Sequence, residues 1–113
     1  MYTPTRHYFD CHIAGFKYWD GLEIISNLHD GTAVELRGEP TNPYDPEAVA
    51  IYYNEIKIGY IPRDKNSDIS RLLYFGHGDI FEAIISAALP NNPPEQRFRV
   101  TIKIKDAREW ERK

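Results

Sequence analysis

Three prolines stand within seven positions, Pro40, Pro43 and Pro46, in the stretch Gly38-Glu39-Pro40-Thr41-Asn42-Pro43-Tyr44-Asp45-Pro46. Each fixes its own φ at about −65°, removes a backbone donor and biases the residue before it away from helical geometry. No helix or central strand can run through such a segment. It has to be a stiff loop, and the elements on its two sides must pack across it.

On the N-terminal side, Tyr8 to Phe16 carries aromatic and branched residues in imperfect alternation, which predicts a strand. Gly15 and Gly21 bracket an aromatic loop, and Asp20 is placed to cap a short helix over Leu22–Leu28 that stops at Asp30-Gly31. Thr32–Arg37 predicts a strand with Val34 and Leu36 on one face. On the C-terminal side, Ala48–Tyr53 and Ile56–Ile61 flank Asn54-Glu55 as a tight hairpin. Asn66 or Ser67 is placed to cap a helix over Asp68–Tyr74, closed by Gly76. Ile80–Leu89 stays open between helix, which its alanines favour, and strand, which its isoleucines favour. Phe98–Lys105 is the clearest strand, with Phe98, Val100, Ile102 and Ile104 alternating against Arg97, Arg99, Thr101, Lys103 and Lys105. The expected fold is mainly β: a small antiparallel β-barrel with two short helices. A chain of 113 residues suits one domain, with a core over about 8–105 and a tail or short helix over 106–113 in which Trp110 docks onto the barrel.

Several function classes fall away. The length leaves no room for a second catalytic domain. The single cysteine, Cys11, excludes an intramolecular disulfide and a cysteine metal cage, and fits a reducing compartment. Cys11 and His12 are neighbours on a strand, so they point to opposite faces and form no nucleophile–base pair; Cys11 is expected to be packed. His7, His12, His29 and His77 follow no zinc spacing, and Gly76-His77-Gly78-Asp79 lacks the lysine of a phosphate loop. The sequence therefore predicts no catalytic residue, metal or cofactor. Met1 to Arg6 lacks the apolar core of a signal peptide, and no apolar run approaches the roughly 18–20 residues that cross a bilayer, so a cytoplasmic protein without membrane contact is expected.

The formal net charge of −3 argues mildly against non-specific nucleic-acid binding, but its distribution is uneven. From Arg97 onward seven basic residues face three acidic ones, whereas the preceding residues hold fourteen acidic and seven basic. The ladder of Arg97, Arg99, Lys103 and Lys105 reads first as a solvated strand face. Two clusters remain, Lys17-Tyr18-Trp19-Asp20 and Asn42-Pro43-Tyr44-Asp45. Each sets an aromatic ring beside a polar or charged group at a stiff, exposed site, which suits single-stranded nucleic acid because bases stack on aromatic faces. The alternatives stay open. Such aromatics also simply close a barrel end, Asp45 also caps a turn through a backbone N–H, and the same face also serves a peptide partner. A small nuclease is the remaining rival.

The segment Arg37-Gly38-Glu39-Pro40-Thr41-Asn42-Pro43-Tyr44-Asp45-Pro46-Glu47-Ala48-Val49-Ala50-Ile51 resembles the signature of the HIRAN family. Lys57-Ile58-Gly59-Tyr60-Ile61-Pro62-Arg63 and Ile13-Ala14-Gly15-Phe16-Lys17-Tyr18-Trp19-Asp20-Gly21 resemble two further blocks of that family, in the same order. The resemblance implies an OB-like β-barrel that captures the 3′-hydroxyl end of single-stranded DNA in repair or replication-fork processing. Eukaryotic members precede a Swi/Snf-type ATPase; this chain resembles the free-standing prokaryotic members, so a helicase or nuclease would act in trans. Position by position, Tyr18 and Tyr44 would sandwich the terminal base, with Trp19 beside them. Asp45 would accept a hydrogen bond from the 3′-hydroxyl and repel a 3′-phosphate. Lys17 would meet phosphate or base edges, and Asn42 would supply an amide contact or brace the loop. Tyr60 and Arg63 fall where eukaryotic members face the phosphates with histidine and lysine; Arg63 keeps the charge and Tyr60 does not.

Overall fold

The computed structural model describes residues 1–16, 20–89, 91–93 and 96–108, and for residues 20–23 the backbone alone. Six strands form one antiparallel sheet: β1 (His7–His12), β2 (Ala33–Gly38), β3 (Val49–Tyr53), β4 (Ile56–Tyr60), β5 (Phe81–Ala88) and β6 (Phe98–Ile104), in the spatial order β1-β6-β5-β2-β3-β4. The sheet curls until its two outer members meet. Ala14, just beyond β1, exchanges two backbone hydrogen bonds with Tyr60 of β4, at 2.8 and 2.9 Å.

β6 shows why the sheet has one apolar face. Phe98, Val100 and Ile102 are buried while Arg99 between them faces out, as the two-residue period of a strand demands. Ile104, expected on the same inner face, sits at the strand end and is exposed. The segment left open between helix and strand is β5, decided by partners distant in sequence: it pairs with β6 along its length and with β2 at Ala33–Ile84 and Val34–Ala83. The expected hairpin forms between β3 and β4. Asn54 and Glu55 both take positive φ, 48° and 69°, the geometry of a primed two-residue turn.

The first strand is shorter than expected, ending at His12 rather than Phe16, because Gly15 turns the chain at φ 73° toward β4. Cys11 and His12 occupy opposite faces as expected. Cys11 is 1% exposed, and burial pushes its thiol up to about 11, far from reactive thiolate chemistry. Of the two expected helices, α1 (Ser67–Tyr74) is α-helical, with Ile69 buried and Gly76 closing it at φ 88°. The other is a 3₁₀ segment over Asp20–Asn27, broken at Ile24 (φ −117°, ψ 17°), and two single 3₁₀ turns occupy Arg63–Lys65 and Gly78–Ile80. Asp106–Arg108 are irregular, and Trp110 lies outside the described residues. Among the described residues no helix is long and apolar enough to cross a membrane.

Candidate nucleic-acid interface

The proline-rich loop joins β2 to β3, and its two ends are tied where Glu39 N–H donates to the Ala48 carbonyl at 2.9 Å. Inside it, Asn42 folds the chain on itself. Its Oδ1 accepts the backbone N–H of Tyr44 at 2.8 Å and of Asp45 at 3.1 Å. This is the local turn that asparagine side chains support, and Pro43 in its middle needs no partner for a missing N–H. Asn42 thus braces the loop. The outcome for Tyr44 is a ring held 86% exposed on a stiff backbone.

Asp45 turns the other way. Its Oδ1 accepts the Glu47 backbone N–H at 2.9 Å, the turn-capping role that the sequence left open. Its Oδ2 accepts from Asn66 Nδ2 at 3.0 Å and lies 3.5 Å from Arg63 Nε. Burial, the largest single influence, pushes this carboxyl upward. The Asn66 and Glu47 hydrogen bonds and the Arg63 charge together outweigh it and hold the group below the usual aspartate value. Arg63 also donates from Nη2 to the Tyr44 carbonyl at 3.0 Å, so the loop is pinned from the β4 side.

Behind the loop, Glu39 gathers three donors. Lys57 Nζ lies 2.6 Å from its Oε2, while Tyr60 OH (2.9 Å) and Asn42 Nδ2 (3.1 Å) donate to Oε1. Lys57 Nζ also donates to Tyr60 OH at 3.1 Å. Burial is the largest influence on Glu39 and acts upward, yet the bonds from Lys57, Asn42 and Tyr60 prevail and lower it. The Tyr60 hydroxyl, expected to lack a charge, is raised by burial and by its bond to Glu39, so it stays a neutral donor.

Asn42, Tyr44, Asp45, Tyr60 and Arg63 line one open cavity of about 470 Å³, whose apolar wall includes Ala14, Pro43, Ala48 and Ile61. Five of the residues singled out from the sequence therefore converge, from two segments far apart in the chain. Lys17, Tyr18 and Trp19 lie outside the described residues, although Ala14 on the same cavity wall precedes them closely. A groove of about 490 Å³ between the same loop and α1, floored by Pro40, Pro46, Leu73, Tyr74 and Phe75, gathers none of these five. The basic ladder is partly committed elsewhere: Arg97 donates to the Asn92 carbonyl, and Arg99 lies 3.5 Å from Asp10.

Sequence reasoning missed three members of the site. Glu39 and Lys57 stood in the sequence only as members of the two family-like blocks, with no role assigned, and Asn66 only as a candidate helix cap. Asn66 does occupy the cap position of α1, but its side chain makes no capping bond and reaches Asp45 instead. Nothing local signals these contacts, since Asp45–Asn66 and Glu39–Tyr60 each span 21 residues.

The two depressed carboxyls give the site a pH dependence. A group whose folded value lies below its unfolded one, roughly 3.9 for aspartate and 4.3 for glutamate, stabilises the fold fully above that value. The contribution is lost as pH falls through the depressed folded value. The urea midpoint is expected to hold from pH 7 to about 5 and to decline below about 4. Glu39→Gln should flatten part of that decline, and an unchanged profile in the variant would refute the assignment to Glu39.

The HIRAN domain family model matches residues 7–105. Among solved structures, the fold is similar to that of a protein from Lactobacillus plantarum, with a TM-score of 0.72, 23% identity, and coverage of 88% of this chain and 93% of that one. It is also similar to the HIRAN domain of human HLTF, with a TM-score of 0.64, 19% identity, and coverage of 87% and 76% respectively. No curated protein matches the sequence.

Proposed function

Because the chain belongs to the HIRAN domain family, a family of DNA-binding domains, we propose that it is a non-catalytic module that binds single-stranded DNA and reads its free 3′-hydroxyl end. The observation that carries this reading is the placement of an ionised, doubly anchored Asp45 in the wall of a 470 Å³ cavity, next to a Tyr44 ring with little packing of its own. A terminal base stacks on Tyr44, and Tyr18, with Lys17 and Trp19, serves the opposite side. The terminal hydroxyl donates to Asp45, which as a carboxylate only accepts. A 3′-phosphate brings negative charge against the same oxygens and is rejected. Arg63, 73% exposed, meets the backbone phosphates, while Tyr60 and Asn42 shape the wall. Repair or replication-fork processing is the setting, with a helicase or nuclease acting in trans.

The test is fluorescence anisotropy with three labelled decamers, carrying a 3′-hydroxyl, a 3′-phosphate, or no end by circularisation, at one low salt concentration. Preference for the first, lost in Asp45→Ala, is the expected result. A preference that Asp45→Ala retains defeats the mechanism, and equal binding of all three leaves a generic single-strand binder. One observation favours a second reading, a peptide-binding surface. Tyr74 and Phe75 are 67% and 68% exposed and meet edge-to-face beside the 490 Å³ groove. Salt separates the two readings, because DNA affinity falls steeply with salt and an apolar peptide contact does not.

A further inference from the structure

Asn66 stands at the position before a helix where asparagine is favoured for accepting a hydrogen bond from the N–H groups of the first turn. It does not serve that purpose. Its backbone is already helical, φ −95° and ψ −17°, and no side-chain capping bond forms. The residue is 1% exposed, and among the described residues no donor reaches its Oδ1. An unsatisfied buried acceptor is destabilising, and a leucine of similar size would avoid it. Helix capping therefore gives no reason for a carboxamide here. The bond from Nδ2 to Asp45 Oδ2 does.

A carboxylate is free to turn about a broad terminal torsion. With Oδ1 held by the Glu47 N–H and Oδ2 by Asn66, the plane of Asp45 is fixed, and each oxygen keeps lone-pair capacity for a ligand. The donor from Asn66 is neutral, so it fixes the plane without cancelling the charge. A cation buried at the same place would remove the repulsion that excludes a phosphate; Arg63 lies farther off and is largely solvated.

The geometry points to Asn66 as the positioning residue of the end-reading site. It is a buried neutral amide that holds Asp45 in one orientation with its charge intact, and so sets the discrimination between a 3′-hydroxyl and a 3′-phosphate. This inference rests on the end-reading proposal. It is tested by titrating wild-type protein and Asn66→Leu with decamers of both ends, with thermal melting and the Asp45 titration followed by NMR. In Asn66→Leu the ratio of the two affinities should fall roughly five- to tenfold, the size of one net hydrogen bond. The Asp45 midpoint should rise, and the melting temperature should fall by no more than a few degrees, because relief of the unpartnered Oδ1 offsets the lost bond to Asp45. A wild-type preference that Asn66→Leu retains overturns the inference alone, and a drop in melting temperature with the ratio kept identifies a mere loop staple. Equal binding of both ends by wild-type protein overturns the end-reading proposal and this inference with it. Should Asn66→Leu fail to fold, the unaltered protein decides. The Asn66 amide protons should shift on adding the 3′-hydroxyl strand and not the 3′-phosphate strand, and the same response to both overturns the inference.

Discussion

Alanine at position 59 is expected to cost about 2–6 kcal/mol of folding stability, from two sources that add. Gly59 has φ 151°, a conformation that side chains rarely adopt, and such backbone strain is worth roughly 1–3 kcal/mol. Its missing Cβ also leaves the space that β1 needs in order to close on β4. A methyl group there would fall against Ile13 Cγ2 and 2.7 Å from the Ala14 carbonyl oxygen. Ile13 is in the core and the Ala14 carbonyl accepts the Tyr60 N–H, so neither neighbour can move without breaking the closure. Overpacking of this kind costs a further 1–3 kcal/mol or so. Gly31→Ala is the control. Its φ is 90° but nothing lies within 4 Å of the added carbon, so it bears the conformational cost alone. Urea denaturation of both variants separates the terms, and a Gly59→Ala loss no larger than that of Gly31→Ala would show that the closure is soft. Since total stability is about 5–15 kcal/mol, Gly59→Ala should remove a substantial share of it. Because Ala14 and Tyr60 both line the cavity, the same residue that closes the sheet also sets the distance across the site.

How much of this was legible depends on whether the cause was local. Alternation in Phe98–Ile104 and the apolar pair Val34 and Leu36 give strands whose inner faces pack as their period requires. The three prolines forced an irregular loop, and Asn42-Pro43-Tyr44-Asp45 could be recognised as a rigid presentation of a ring and a carboxylate from adjacent residues alone. The rest is non-local. Ile80–Leu89 carries no local preference, and its strand character follows from pairing with β2 and β6. The end of β1 is dictated by a bridge to a residue 46 positions later, Ala14 to Tyr60, which no periodicity encodes. Asn66 is the sharpest case. Its local context predicts a cap, and the competing partner, Asp45, is brought to it only by the loop.

Tyr44→Ala is expected to weaken binding of a 3′-hydroxyl decamer by about 1–3 kcal/mol, the value of one base–aromatic stack. The native fold should be almost indifferent to the change. With 86% of Tyr44 exposed, removing the ring uncovers little, and surface substitutions of this kind stay within about 0.5 kcal/mol. The backbone groups that matter are kept, because alanine still supplies the N–H that Asn42 accepts and the carbonyl that Arg63 reaches. The loss should therefore appear in affinity and not in the urea midpoint. Tyr44→Phe tests the physical cause: stacking needs the ring and not the hydroxyl, so phenylalanine should restore binding to nearly the wild-type level. If Tyr44→Phe binds as poorly as Tyr44→Ala, the hydroxyl is the contact and stacking is refuted. If Tyr44→Ala binds as well as wild type, the exposed ring belongs to some other surface. The selectivity assigned to Asp45 predicts a further separation. Tyr44→Ala should lower affinity for 3′-hydroxyl and 3′-phosphate strands alike, whereas Asp45→Ala should narrow the gap between them, because a ring reads any base and only the carboxylate reads the end.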